Sequence, residues 1–294
     1  MKILFINDGP ALGDYIVKGL FQIFNYHKKN PTHVLYYNQI YGYKSLKQRN
    51  YIEKVTNNLA TIVDSYEKND YDKIIDTTLL SGRNVSFNYW INNFRPLIHQ
   101  HIYSIFKNNL NTDKFQIKDH YIVSISTDSQ RFKGLTDVKF QEIIAELILI
   151  KPNVKFALIG KNESILSNQL KEIISNPPKN LKCLLNKDDG PEDVMNILYY
   201  GKKLISRNSG LIHVAGLLNV QCIFLKKYVR GYSNWMYNDF LYSNIEYHTI
   251  DKTEKFHGFY NELWFPISDN CIRVIEHKKL INYDVKEELI KIIN

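Results

Sequence analysis

Short apolar runs alternate with longer amphipathic stretches along most of this 294-residue chain. A short apolar run is typical of a strand covered on both faces, whereas apolar side chains at helical spacing indicate a helix. On this basis we predict strands at 2–6, 33–37, 74–75, 121–126, 154–159, 181–185, 204–205 and 220–225. We predict helices at 15–24, 46–66, 85–110, 137–151, 165–175, 192–200 and 285–293, and a further helix that carries His213.

This alternation of strands and helices predicts an α/β fold with parallel sheets and right-handed crossovers. The chain is long enough for two domains, and it turns polar at 111–119, where we place the boundary between them. The predicted units are a Rossmann-like N-terminal domain at 1–118, a Rossmann-like C-terminal domain at 119–275 and a terminal helix within 276–294.

The chain contains two polar turns, one in each half, and each of them lies between an apolar run and a helix. The first is 7–14, which ends in Leu-Gly-Asp, and the second is Arg-Asn-Ser-Gly at 207–210. The start of a helix offers unpaired N–H groups and the positive end of the helix dipole, which suit a diphosphate. Two such turns predict a ligand cleft between two α/β domains.

The charge of the chain favours anionic partners, since the net charge is +8 and the pI is near 9.1. Nucleotide phosphates and an anionic membrane surface are the partners we expect. Nucleic acid is not expected, because no recognised nucleic-acid module surrounds the basic and aromatic stretch at 226–235. The first turn lacks Gly-x-Gly-x-x-Gly and the chain lacks a P-loop motif, which disfavours a dehydrogenase or a nucleoside triphosphatase.

Three cysteines, Cys183, Cys222 and Cys271, are too few and too widely spaced for a disulfide framework or a zinc site. Cys222 lies in an apolar run and is expected to be a core thiol. His99 and His101 have no third ligand nearby in sequence, so we expect neither a metal nor a cofactor. No apolar run is long enough for a signal peptide or a membrane span. We therefore expect a cytoplasmic protein with peripheral contact at the inner face of the membrane.

Four motifs follow one another in an order typical of a single family. They are Leu12-Gly13-Asp14 before an apolar helix, a strand and Lys-containing loop at 124–133, Gly160 followed by Glu163, and Asn-Ser-Gly-x-x-His-x-Ala at 208–215. In this order and spacing the chain resembles the heptosyltransferases, glycosyltransferase family 9, which extend bacterial lipopolysaccharide cores.

The resemblance implies a GT-B fold, in which two Rossmann-like domains face each other across a cleft, and an inverting, metal-independent sugar transfer. The C-terminal domain would bind the nucleotide sugar, and the N-terminal domain would bind a glycan or glycolipid acceptor such as a lipopolysaccharide core. The donor-binding residues that the resemblance implies are Thr127, Arg131, Lys133, Glu163, Asn208, Ser209, Gly210 and His213. Gly9 and Gly13 would lie at the acceptor.

Asp14 is the candidate general base, since sugar transfer requires a base that removes the proton of the acceptor hydroxyl. The alternative role of Asp14 is a helix N-cap, and Asp8 is its local rival. Lys133 and Arg131 would offset the negative charge that builds on the leaving diphosphate. Glu163 would accept hydrogen bonds from the ribose hydroxyls.

The chain departs from the family pattern at three points. Asn208 replaces an acid, Lys133-Gly134-Leu135 replaces Lys-Trp-Pro, and no Phe-Gly follows the last strand. An amide donates as well as accepts hydrogen bonds, whereas a carboxylate only accepts, so heptose is one candidate sugar among others. Two alternative functions stay open: a nucleotide-sugar epimerase of the same fold, and a non-catalytic protein that binds a sugar nucleotide or a glycolipid.

Overall fold

Strands and helices alternate along the chain in a computed structural model. It describes residues 1–7, 15–40, 42–43, 46–77, 87–125, 137–160, 166–185, 190–207, 210–227, 247–248, 271–276 and 285–293.

The N-terminal half contains a parallel sheet whose described strands are ordered β3-β2-β1-β4. These strands are β1 (Lys2–Asn7), β2 (Val34–Gln39), β3 (Thr61–Ile62) and β4 (Lys73–Asp76). The central strand β1 is the apolar run at the start of the chain, and its residues Ile3, Leu4 and Phe5 are buried. Such a run suits a strand that is covered on both faces.

The C-terminal half contains a larger parallel sheet whose described strands are ordered β10-β11-β9-β8-β5-β6-β7. The strands are β5 (Tyr121–Ser124), β6 (Phe156–Ile159), β7 (Leu181–Cys183), β8 (Lys203–Arg207), β9 (Cys222–Lys227), β10 (Tyr247–His248) and β11 (Cys271–Glu276). In both sheets the first strand along the chain is central, and the strand order reverses beside it. The expected parallel α/β architecture is therefore confirmed, while the domain limits at 118 and 275 stay a prediction.

Helices connect the strands in both halves. The first begins as a π-helical segment (Tyr15–Leu20) and continues as α1 (Phe21–Lys29). The others are α2 (Leu46–Thr56), α3 (Phe87–Phe106), α4 (Asp137–Ile150), α5 (Asn168–Ser175), α6 (Pro191–Tyr200), α7 (Gly210–Leu217) and α8 (Val285–Ile292). Helix α6 begins with Pro191, whose fixed φ suits a first helical turn, and Glu192 and Asp193 lie next to the positive end of the helix dipole.

The prediction of a helix over 46–66 is wrong at its end, because α2 ends at Thr56 and residues 61–62 form β3. Asn58 adopts a left-handed φ of 64°, which helical residues do not have. Thr61 and Ile62 are both β-branched, a side-chain shape that favours a strand. Strands β10 and β11 were not predicted either.

Two hydrophobic clusters cover the faces of the C-terminal sheet. One of them is continuous with the core of the N-terminal half and includes Ile3 and Phe5 together with Ile122 and Leu204. The other lies on the opposite face and includes side chains of α4, α5 and α8. Cys222 is fully buried in the shared cluster, as expected of a core thiol. This shared cluster fixes the two halves against each other, because burial of apolar surface is the main stabilising contribution to folding.

The segment between the two halves is held against α6 by a buried amide. Asn196 has no exposed surface, and its Nδ2 donates to the carbonyl oxygens of Asn109 (2.6 Å) and Thr112 (2.9 Å). Its Oδ1 accepts from the backbone N–H of Lys114 at 3.2 Å. Tyr200, one turn further along α6, donates to the carbonyl oxygen of Leu110 at 2.8 Å. The path of the connecting segment is therefore set by side chains of the C-terminal half.

Replacing Gly201 with alanine is expected to destabilise the fold. An added Cβ would lie 2.3 Å from Cγ1 of Ile122, and Ile122 is itself buried in the shared cluster. Overpacking of this kind costs about 1–3 kcal/mol, which urea unfolding measures directly. Gly190→Ala is the matched control, since the nearest atom to its added Cβ lies at an ordinary 3.6 Å. Equal free energies of unfolding for the two variants would contradict the packing at Gly201.

Candidate functional site at the carboxyl ends of the strands

Three segments that carry predicted donor-binding residues leave the same edge of the C-terminal sheet. Strands β6, β5 and β8 are neighbours and run parallel, so their carboxyl ends lie side by side. Segments 126–136, 161–165 and 208–209 follow these three strands directly. The strand order reverses at β5, and open parallel sheets bind ligands at such a reversal. The topology therefore places the carboxyl ends of these three strands side by side at the edge where a ligand is expected.

Most predicted site residues lie outside the described part of the chain. These residues are Gly9, Gly13, Asp14, Thr127, Arg131, Lys133, Glu163, Asn208 and Ser209. The basic and aromatic stretch also falls largely outside it. Gly210 is the first residue of α7, and His213 lies in the first turn of the same helix. The assignment of these residues to donor, acceptor or catalysis stays a prediction.

The helices that follow the two polar turns contact each other. The π-helical segment begins directly after the turn at 7–14, and α7 begins directly after the turn at 207–210. These two helical segments pack together, and α3 also packs against α7. A hydrogen bond of 3.0 Å from Nε2 of His99 to the carbonyl oxygen of Gly216 joins α3 to the last turn of α7. The described contact is therefore between the helical segments that follow the two turns in the sequence.

Tyr15 anchors the backbone that follows the first turn. Its side chain is fully buried, its ring contacts that of Tyr37 edge-on at 5.1 Å, and its hydroxyl is hydrogen-bonded to that of Thr56. Gly19 leaves room for both rings, because a Cβ there would lie 3.1 Å from Tyr15 and 3.2 Å from Tyr37. Burial raises the pKa of Tyr15 above its ordinary value, so the phenol stays neutral and its role is structural.

Buried hydroxyl groups end two neighbouring strands, a feature that sequence reasoning missed. Ser124 ends β5, and Ser206 faces it in β8; neither has exposed surface. Side chains alternate along a strand, so Ser124 lies on the same face as Ile122, the face that α7 covers. Within the described residues the Ser124 hydroxyl has no hydrogen-bond partner. In the sequence, both serines directly follow apolar residues, and this pattern would have indicated both positions.

Gly160 directly follows β6, whose last residue is Ile159. This glycine is part of the third motif found in the sequence. The sequence continues with 161–165. Glu163 lies in that next segment.

The two histidines of α3 hydrogen-bond to backbone carbonyls. Besides the contact of His99 with Gly216, Nε2 of His101 donates to the carbonyl oxygen of Val55 at 2.9 Å. In the described part of the chain no cluster of histidine, cysteine and acidic side chains could hold a metal ion. Among the same residues, no helix combines the length and apolar character needed to cross a bilayer.

Comparison with solved structures identifies the fold. Escherichia coli heptosyltransferase WaaC with ADP superposes with a TM-score of 0.62 at 11% identity, over 100% of this chain and 99% of that chain. The fold is GT-B. A glycosyl transferase family 9 protein from Veillonella parvula gives a TM-score of 0.54 at 13% identity, over 99% of this chain and 95% of that one. The ADP-heptose lipopolysaccharide heptosyltransferase II of E. coli gives 0.50 at 12% identity, over 100% and 98%.

WaaC has also been solved with ADP-2-deoxy-2-fluoro heptose, and this structure gives a TM-score of 0.53 at 12% identity, over 80% of this chain and 91% of that one. No protein-family model matches the sequence, and no curated protein matches it. The fold expected from the four sequence motifs is therefore confirmed at the level of structure.

Mutation of His101 is expected to reduce the dependence of stability on pH. Burial lowers the pKa of His101 below its ordinary 6.5, although its bond to Val55 opposes this, and nearby His27 lowers it further. Below about pH 6.5 the unfolded chain therefore binds a proton that the folded chain does not, so the free energy of unfolding falls as the pH falls. In His101→Gln, whose amide still donates to Val55, this contribution should disappear from urea unfolding measured between about pH 7.5 and 5.5.

The control for this measurement is His120→Gln, since His120 is partly exposed and its ring bonds only the nearby carbonyl of Lys118 within the described chain. Replacing it leaves His101 and its bond to Val55 in place. An unchanged pH dependence in His101→Gln would contradict the role given to this buried imidazole.

Proposed function

We propose that this protein is an inverting, metal-independent glycosyltransferase. It takes a sugar from a nucleotide-sugar donor bound by the C-terminal half and transfers it to a glycan or glycolipid acceptor bound by the N-terminal half. The observation that carries the proposal is the contact between the π-helical segment and α7, within a GT-B fold. This contact supports a site shared by the two turns at 7–14 and 207–210.

The amino end of α7 is the proposed diphosphate site. Gly210 opens this helix at the edge of the sheet where β5 and β8 end. Its unpaired N–H groups and the positive end of the helix dipole would stabilise the charge that develops on the leaving diphosphate. Lys133 and Arg131 would add positive charge from the segment that follows β5, and Glu163 would hold the ribose from the segment that follows β6. With these N–H groups and positive side chains at the diphosphate, its departure would need no metal ion.

Asp14 is the proposed general base. It immediately precedes Tyr15, whose buried ring and hydroxyl fix the start of the helical segment that packs on α7. A carboxylate at this position would remove the proton of the acceptor hydroxyl as its oxygen attacks the anomeric carbon. The bond from that carbon to the diphosphate breaks in the same step, which inverts the configuration of the sugar.

The proposed acceptor is a glycan or glycolipid that carries negative charge. The excess of lysine and arginine over acidic residues gives the chain a net charge of +8, which attracts anionic molecules and anionic membrane surfaces. Two of the similar proteins, WaaC and heptosyltransferase II, are named as heptosyltransferases, which supports a lipopolysaccharide or lipooligosaccharide core as the acceptor class and heptose as one candidate sugar. With such an acceptor, the protein would transfer the sugar at the inner face of the membrane.

The test is a transfer assay with a panel of ADP- and UDP-sugars and lipooligosaccharide acceptors, with and without magnesium. We expect acceptor-dependent release of nucleoside diphosphate from one donor class, insensitive to magnesium. Asp14→Asn should lower kcat by about 10²–10⁴-fold while the dissociation constant of the donor changes by less than about threefold, because loss of a base removes stabilisation only in the transition state.

Asp8→Asn is the matched control, since it removes a carboxylate from the same turn and should retain most of the activity. Full activity in Asp14→Asn would exclude Asp14 as the base. Conversion of the donor without any acceptor would instead identify a same-fold epimerase. Donor binding without turnover would identify a non-catalytic binding protein.

A further inference from the structure

A buried amide on α4 joins the two segments that follow β5 and β6. Gln141 is 2% exposed, and its Oε1 accepts a hydrogen bond of 2.5 Å from the backbone N–H of Ser167. Its Nε2 donates to the carbonyl oxygen of Ile125 in a longer bond of 3.4 Å. Both partners are backbone groups, so the side chain of Gln141 constrains the path of the main chain at two places at once.

These two places border the proposed donor site. Ile125 is the residue directly after β5, where the segment that contains Thr127, Arg131 and Lys133 begins. Ser167 follows the segment that contains Glu163. The backbone N–H of Ile125 also donates to the carbonyl oxygen of Ile159, the last residue of β6, at 3.1 Å. Gln141 thus extends the link between β5 and β6 beyond the end of their sheet pairing.

Ser167 is in turn fixed at the start of α5. Its hydroxyl accepts a hydrogen bond of 3.2 Å from the N–H of Leu170, which is the geometry of a helix N-cap. Leu170 is fully buried in the cluster that α4 also contacts. Ser167 is thus held on both sides, by Gln141 and by its own helix, and has a defined position relative to α4.

We infer that Gln141 is a positioning residue for the nucleotide-sugar donor. It sets the spacing between Ile125 and Ser167, the described residues that border the two segments proposed to hold the diphosphate and the ribose. This inference rests on the proposed function, because it assigns a purpose to the two segments. A displacement of about 1 Å between groups that hold one ligand is enough to lose much of the binding or catalytic rate.

Asn180 provides a matched control in the same half of the protein. It is also a buried amide, and its Nδ2 contacts the carbonyl oxygens of Ile148, Lys151 and Val154, each at 3.0 Å. It lies just before β7 and beside the start of β6, at the amino ends of the strands. Loss of this side chain should destabilise the fold but should not change the edge of the sheet where the donor would bind.

The experiment compares Gln141→Met with Asn180→Leu in the full chain, using ADP and UDP as probes in calorimetric titrations. Both substitutions keep an apolar body of similar size and remove buried hydrogen bonds, so both should lower the melting temperature. We expect Gln141→Met to weaken binding of the nucleoside diphosphate about tenfold or more, whereas Asn180→Leu leaves it within about twofold. If Gln141→Met and Asn180→Leu bind the nucleoside diphosphate with equal affinity, whether weak or strong, the inference is wrong.

Gln141→Glu is a second variant that keeps the size of the side chain. Its buried carboxylate would face the carbonyl oxygen of Ile125, so we expect a loss of affinity at least as large as that of Gln141→Met. In parallel, amide hydrogen exchange should accelerate in peptides that cover 125–136 and 161–167 in Gln141→Met but not in Asn180→Leu. Unchanged exchange there would overturn the positioning role.

Failure of the proposed function gives a different result. If the unmodified protein binds neither ADP nor UDP, the proposed donor site is wrong, and the inference about Gln141 falls with it. If the unmodified protein binds one of them and Gln141→Met binds it equally well, the proposed function stands and Gln141 has a structural role alone.

Discussion

The amide of Asn196 fixes the relation between the two halves of the molecule. It is buried without exposed surface, and it bonds the backbone at Asn109, Thr112 and Lys114, in the segment that connects the two sheets. A buried amide left without partners costs about 1–3 kcal/mol, so Asn196 favours one path of this segment over α6. That path contributes to the orientation of the N-terminal sheet relative to the C-terminal sheet.

Ion pairs and a shared core support the same arrangement. Lys54 on α2 pairs with Glu192 at the start of α6, and Lys114 pairs with Asp193 at 2.7 Å. Asp193 is buried, but Lys114, Lys54 and Glu192 are at least partly exposed, and such pairs contribute little by themselves. The apolar cluster that spans both halves therefore supplies most of the cohesion. The same arrangement includes the contact between the π-helical segment and α7, the helical segments that follow the two polar turns in the sequence.

The architecture could be predicted from the sequence because parallel strands covered on both faces are short continuous apolar runs, as in Lys2–Asn7 and Phe156–Ile159. Strand β3 could not, because Thr61–Ile62 is too short to show a period of its own and follows a helical pattern closely. Gln141 could not be found as a site-bordering residue either, since only tertiary structure places a polar residue of α4 beside the end of β5 and the start of α5.

The most direct test of the proposed cleft is a crystal structure of the full protein grown with ADP or UDP at saturating concentration. We expect the diphosphate at the amino end of α7, beside the carboxyl ends of β5 and β8, with the ribose towards the segment after β6. A nucleotide bound at another surface, or no nucleotide density with either compound, would contradict a donor site at this edge of the C-terminal sheet.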